Sequence, residues 1–306
     1  MSPEDFRHLC RWVGNMPGFS LLGGEPLMHS RMEELLQIAA SFKKRINIIS
    51  NISVDAETFD RLSPYFSGRT ASVSHFLINT DYPDSQEEIF KRNLSILCHT
   101  ECALSFSTTL LPDSDSVEAS RKRIAELAEI YRRERGTIDG FRIRLAPFCP
   151  NPTDSTKFRK YNFTADIVTF VNSLYETQIS RYGFDCPVNL CELNEDFIEA
   201  CRNQGFQIKT DACSPESGMP FDILVDGSVI WCSSANFLRL NNWKDYPNFK
   251  AAHHELGRLW REEWKRMGRS TECRECDKNN PGRCSGLCIA KTHQLSGPKV
   301  IPVTAI

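Results

Sequence analysis

Apolar and polar positions alternate between two periods along the first half of the chain. Short apolar or β-branched runs occur at FSLL (19 to 22), RINIIS (45 to 50), SVSHFLI (72 to 78), CALSFSTTL (102 to 110) and FRIRLAPF (141 to 148). Each reads as a strand. Between them lie amphipathic segments with helix-start chemistry. Ser2-Pro3-Glu4-Asp5 supplies an N-cap, a proline at the first helical position and acids in the first turn. Ser30-x-x-Glu33 and Ser85-x-x-Glu88 have the form of capping boxes. Apolar-face residues follow at helical spacing, Met32, Leu35, Leu36 and Ala39 in one and Ile89, Asn93, Leu94 and Leu97 in the other. Residues 117 to 135 predict a longer charged helix with Ile124, Leu127, Ala128 and Tyr131 on one face, closed by Gly136. Strand and helix repeating in this way is the pattern of parallel βα units.

After APFCPNPTDS the rhythm changes. Residues 164 to 180 and the stretch NEDFIEACRNQG predict two further helices. From about residue 209 the chain turns cysteine- and loop-rich, with one hairpin in FDILVDGSVIWC, where Asp226-Gly227 is a tight-turn signal. The spacing predicts a boundary between 185 and 210, giving an α/β unit over 1–208 and a small cysteine-rich unit over 209–306.

Composition narrows the chemistry. With 306 residues, 41% hydrophobic and 25% charged, the chain can bury a large core. A net charge of -2 without long runs of like charge leaves no electrostatic footprint for nucleic acid or a membrane surface. No segment has the length and apolarity of a membrane span, and the N-terminal residues lack a signal pattern, so a cytoplasmic protein is expected. In that compartment the thirteen cysteines point to metal where they are grouped and to core packing where they are scattered. Cys273, Cys276, Cys284 and Cys288 read C-x2-C-x7-C-x3-C, and Cys213, Gly227 and Cys232 read C-x13-G-x4-C across the hairpin. Zinc and iron–sulfur clusters both use such spacings, and spacing alone leaves the two equal. Cys10, Cys98, Cys102, Cys149 and Cys201 sit in or beside apolar patterns and read as core, with Cys186 and Cys191 undecided.

Two motifs in order resemble one family. LLGGEP after the first helix, then IISN closing the next strand, resembles the radical S-adenosylmethionine (radical SAM) enzymes, whose second barrel strand ends in GGEP. The cysteine pattern resembles the SPASM extension, which binds auxiliary [4Fe–4S] clusters in peptide-modifying members of that family. The resemblance implies a partial (βα)-repeat barrel missing its first strand, followed by a SPASM-like domain. It tips the metal choice from zinc, which remains the alternative, to iron–sulfur.

By that resemblance Gly23, Gly24, Glu25 and Pro26 would receive the amino group of SAM, Asn51 would lie beside it, and Ser107 and Thr108 would lie near its ribose. Ile52 stands where the family often has the glycine of Thr-Asn-Gly. Cys213, Cys232 and Cys288 would serve one auxiliary cluster and Cys273, Cys276 and Cys284 a second. From the residues themselves, Arg142 and Arg144 alternate with Phe141, Ile143 and Leu145, so both arginines share one strand face, suited to a carboxylate of SAM or of a peptide or protein substrate. The family's C-x3-C-x2-C, which holds the SAM-cleaving cluster after the first barrel strand, has no counterpart here. The expectation is a chain inactive alone: either part of a longer enzyme whose N-terminal segment supplies those thiolates, or a non-catalytic cluster- or peptide-binding module.

Overall fold

A computed structural model describes residues 1–68, 71–110, 114–138, 142–147, 172–173, 181–184, 199, 203, 221–232 and 235–267. These fall into two compact units, one containing the chain up to residue 147 with 181–184, the other containing 221–267.

The first unit is a six-stranded sheet in chain order: β1 (Gly18–Leu21), β2 (Arg45–Ser50), β3 (Val73–Asn79), β4 (Ala103–Leu110), β5 (Arg142–Pro147) and β6 (Arg181–Phe184). Every neighbouring pair is parallel. Parallel neighbours need crossovers, and α2 (Met32–Ser41), α3 (Ala56–Leu62), α4 (Glu87–Cys98) and α5 (Ser114–Arg135) supply the first four, with α1 (Pro3–Trp12) preceding β1. The five apolar runs are thus five of the six strands. β6, in RYGF, lacks the β-branched run that marks a strand in sequence.

Helix α1 starts as its sequence dictates, the Ser2 side chain accepting from the Asp5 backbone N–H at 3.1 Å. Neither capping box forms. Helix α2 begins after Arg31 and α4 after Gln86, and neither cap makes a side-chain hydrogen bond. For α4 the cause is local: the 3-10 turn Asp84–Gln86 runs straight into the helix and delivers the chain already helical, whereas α2 starts one residue later than its box requires, with Arg31 instead of Ser30 at the cap. Glu33 instead accepts from the Tyr65 hydroxyl at 3.0 Å. Met32, Leu35, Leu36 and Ala39 are buried as the period requires, whereas α4 buries Phe90 beside Asn93, Leu94 and Leu97 and leaves Ile89 half-exposed.

One sheet face packs on helices. Phe19 meets Phe6 of α1 at 5.5 Å, Phe76 meets Phe66 at 5.0 Å, and Phe106 meets Tyr131 of α5 at 6.4 Å, all edge to face. Cys10, Cys98 and Cys102 belong to this core, and burial pushes each thiol up to about 11. They behave as small apolar side chains. Gly18 is demanded by a close approach, since a Cβ there would lie 2.0 Å from the Arg45 carbonyl oxygen.

The second unit holds a three-stranded antiparallel sheet, β7 (Asp222–Ile223), β8 (Val229–Ile230) and β9 (Arg239–Leu240), and a helix, α6 (Phe249–Met267). The hairpin turn is the expected one: Gly227 takes φ +86°, and the Asp226 carboxylate accepts from the Ser228 N–H at 2.9 Å and its hydroxyl at 2.6 Å. Phe221 stacks on Phe249, and Trp231 packs edge-on against His253. The sequence reading assigned neither β9 nor α6. The signal for α6 was a stripe of Ala252, Leu256 and Trp260 at spacing four, all buried. The helices expected over 164–180 and in NEDFIEACRNQG lie outside the described residues, apart from Asn172, Ser173, Glu199 and Asn203, each helical.

Candidate functional site

In a parallel α/β sheet the strand C-termini share one edge, and ligand-binding loops leave from it. Here that edge carries Leu21, Ser50, Asn79 and Leu110. After Leu21 the chain runs through exposed Leu22 and then Gly23 and Gly24, at φ +98° and +57°. Side chains at either glycine would meet nothing within 4 Å, so it is the left-handed backbone, not crowding, that calls for glycine twice. The double turn brings Glu25 back over the edge, where Pro26 opens the 3-10 turn and is buried.

The Glu25 carboxylate is held by three donors. Oε1 accepts from the Leu27 N–H at 3.1 Å and from the Ser50 hydroxyl at 2.7 Å, and Oε2 accepts from the Asn51 N–H at 3.0 Å. The carboxylate thereby ties the end of β1 to the end of β2. Ser50 is itself 3% exposed and accepts from the Ile52 N–H at 2.7 Å, so its hydroxyl proton is directed to Glu25. Ile52 sits at φ +49°, a region that opposes a β-branched side chain. The Asn93 amide, fully buried on α4, fixes this turn by donating to the carbonyls of Ile52 at 2.8 Å and Val54 at 2.9 Å. Asn51 closes its own turn, its Oδ1 accepting from the Ser53 N–H at 3.0 Å.

A carboxylate offers about four acceptor positions. Three are taken here, so a cationic donor arriving at Oε2 would add a bond without displacing one.

The structure therefore brings together Gly23, Gly24, Glu25, Pro26 and Asn51. Further along the edge, the Ser107 carbonyl accepts from the Thr80 N–H at 2.8 Å, and the Thr109 N–H donates to Asp81 at 3.1 Å. Ser107 and Thr108 part company. Thr108 is 1% exposed on the helix-packed face of Phe106, while Ser107 lies on the opposite face. Arg144 is the register partner of Ser107 on β5. Asp81 is not among the residues the sequence singles out; Ser50 enters there only as the strand-end residue before Asn51, and Asn93 only as a position on the α4 face. A buried strand-end serine and a buried asparagine at a helix position otherwise apolar were the available signals.

Of the proposed cluster ligands only Cys232 is described. It is half-buried two residues after the end of β8, and its carbonyl accepts from the Ala235 N–H at 3.0 Å. Cys213, Cys273, Cys276, Cys284 and Cys288 lie outside the described residues. Among the described residues no group of three or more His, Cys, Asp or Glu side chains could hold a metal ion. Likewise, none of their helices is long and apolar enough to cross a membrane.

No protein-family model matches this chain, and neither does any curated protein sequence. Solved structures do match. SuiB of Streptococcus suis, in a crystal structure bound to S-adenosylmethionine, aligns at a TM-score of 0.57 with 15% sequence identity, covering 95% of this chain and 66% of SuiB. A second crystal structure of SuiB gives a TM-score of 0.59 at 14% identity, covering 95% of this chain and 67% of that one. This chain thus spans about two thirds of SuiB's length, and it shares SuiB's fold.

Proposed function

We propose that this chain is the SAM-binding and auxiliary-cluster part of a radical SAM enzyme acting on a peptide or protein, with Glu25 receiving the amino group of SAM. The observation that carries the reading is the Glu25 carboxylate, fixed by Leu27, Ser50 and Asn51 at the C-terminal edge of the sheet with an acceptor position of Oε2 to spare. The GGEP sequence, the fold shared with SAM-binding SuiB and the cysteine pattern of the C-terminal residues support the same reading.

In this reading the residues present do three things. Glu25 binds an ammonium group through a charge-assisted hydrogen bond. Ser50, Asn51 and Asn93 hold that carboxylate in place before the ligand arrives. Gly23 and Gly24 let the chain double back without side chains over the site. SAM reduced by an iron–sulfur cluster supplies radical chemistry to enzymes of this family. The family's three cluster-binding thiolates have no counterpart in these 306 residues, so cleavage needs thiolates from outside them. Cys213, Cys232, Cys273, Cys276, Cys284 and Cys288 would hold one or two auxiliary [4Fe–4S] clusters.

Two measurements test the reading. Calorimetric titration with SAM should show binding that Glu25→Gln weakens by about tenfold, the loss of one charge-assisted hydrogen bond. SAM binding unchanged by Glu25→Gln would sink the site. Anaerobic reconstitution with iron and sulfide, followed by metal and sulfide counting, should give about four iron per cluster. Stoichiometric zinc without sulfide would instead leave a structural zinc protein.

A further inference from the structure

The second unit holds a carboxylate that nothing among the described residues answers. Asp222 is a strand residue of β7, half-buried, and its side chain makes neither a hydrogen bond nor an ion pair with any of them. Burial alone acts on it and pushes its carboxyl above the ordinary carboxylate range. Asp226, four residues on, shows the usual solution: it is exposed, and its carboxylate accepts from both the N–H and the hydroxyl of Ser228. A desolvated carboxylate without donor or cation costs stability, and a position that breaks a local rule in this way points to function.

The hairpin places this acid beside Cys232. The rings of Phe221 and Trp231 lie 6.5 Å apart, edge to face, and both meet His253 of α6, so positions 221 and 231 mark the helix-packed side. Asp222 and Ile230 are the next positions inward, direct register partners, and alternate to the other side. Cys232 follows Trp231 and alternates with it in the same sense, two residues beyond the partner of Asp222. Diagonal neighbours on one side of an antiparallel pair lie about 7–8 Å apart, within reach of one metal centre. That side is not a solvent face, since Ile230 is 2% exposed. Its described cation, Arg239, is exposed on β9 beyond Ile230, and no ion pair joins it to Asp222.

The Cys232 thiol is free and half-buried, as a metal ligand requires. A [4Fe–4S] cluster takes four protein ligands, and the set of Cys213, Cys232 and Cys288 supplies three. Clusters accept ligands other than thiolate, as where two imidazoles replace two cysteines, and iron takes carboxylate oxygen readily. We propose that Asp222 is the fourth ligand of the metal centre that Cys232 serves, supplying a carboxylate oxygen where the cysteine set is one thiolate short. This rests on the reading of those cysteines as cluster ligands. It explains why an acid is kept on a covered strand position: the iron supplies the positive charge that the described residues do not.

The test reconstitutes the full chain and its Asp222→Asn and Asp222→Cys variants anaerobically with iron and sulfide. Iron and sulfide are counted, and electron paramagnetic resonance spectra recorded, before and after brief oxidation. Native protein should keep about four iron per cluster through the oxidation. Asp222→Asn should lose one iron from one cluster and show the signal of a [3Fe–4S] cluster, whereas Asp222→Cys, which offers a thiolate in place of the carboxylate, should hold its iron. Metal-free protein supplies the folding control: an acid with no partner to lose predicts a urea midpoint for Asp222→Asn equal to the native one or higher. A lower metal-free midpoint would assign Asp222 a structural role and overturn the proposal. So would an Asp222→Asn chain that keeps all its iron, or a [3Fe–4S] signal produced by Cys186→Ser or Cys191→Ser and not by Asp222→Asn. Native protein that takes up zinc without sulfide would reject the cluster reading; Asp222 then stands as a ligand if Asp222→Asn lowers the bound zinc and falls if it does not. A native chain that takes up no metal rejects both.

Discussion

Replacing Glu25 should cost stability whether or not a ligand is present, because its carboxylate joins two strand ends. Glu25→Ala removes the acceptor of three donors at once. The Ser50 hydroxyl, in a residue 3% exposed, loses its acceptor where water cannot replace it, at a cost of about 1–3 kcal/mol. The Leu27 N–H loses a cap, at a cost of about 1 kcal/mol. The Asn51 N–H is half-buried and recovers part of its bond from water, so its share is about 1 kcal/mol. Together these come to about 3–5 kcal/mol, a large part of the 5–15 kcal/mol typical of a domain. Glu25→Gln keeps an oxygen for Ser50 and Leu27 but sets an amide NH2 against the Asn51 N–H, so about 1.5–2 kcal/mol is expected. Urea unfolding at 25 °C without SAM measures both through the midpoint at constant slope. A loss below about 0.5 kcal/mol for Glu25→Ala, or equal losses for the two variants, would refute the reasoning.

Three other outcomes follow from the same contacts. Gly18→Ala drives a methyl group to 2.0 Å from the Arg45 carbonyl and should lower stability by about 1–3 kcal/mol through β1–β2 separation, so an unchanged melting midpoint would contradict the close approach. Asn93→Leu strips both donors from the turn carrying Asn51 and should cost about 2–4 kcal/mol; because that turn positions Glu25, SAM affinity should fall with it, and a variant of native stability would contradict the role. The thiols of Cys10, Cys98 and Cys102 are raised by burial from 9.0 to about 11, so the folded chain keeps protons that the unfolded chain releases first. Their stabilisation is complete below pH 9 and is lost as pH rises toward 11, which a falling urea midpoint should show; iodoacetamide at about pH 8 should leave all three unmodified until the chain unfolds.

The parts of the fold legible in sequence were those where local period and burial agree. Five of six strands and the faces of α2 and α5 follow from apolar spacing alone, because each element buries one stripe against the sheet. What escaped were elements whose reason is tertiary. β6 is four residues long and exists as a strand by pairing with β5. Helix α6 hides its period behind a buried Glu263 bonded to Arg266 at 2.7 Å, a polar residue on what would otherwise read as a plain apolar stripe. The capping boxes failed because a box needs an extended residue at the cap: the caps are instead Arg31, at φ -121° and ψ 27°, and Gln86, at φ -107° and ψ 4°, the latter the end of a 3-10 turn.

The candidate site shows the same division more sharply. GGEP announces a carboxylate at a strand end, but its partner Ser50 is 25 residues away and follows from no local rule. Ile52 is the instructive case. In sequence it reads as a departure, standing where the family often has glycine. In the structure the position keeps the left-handed backbone that glycine takes freely, with φ +49° on a β-branched residue. That conformation costs about 1–2 kcal/mol. Its fully buried side chain returns about 1.5–3 kcal/mol, and the bonds from Ile52 N–H to Ser50 and from Asn93 to its carbonyl hold it in place. The geometry that presents the Asn51 N–H to Glu25 therefore depends on the backbone angle and the buried amide behind it. With isoleucine at this position the turn, and with it the carboxylate, still stands where a ligand could use it.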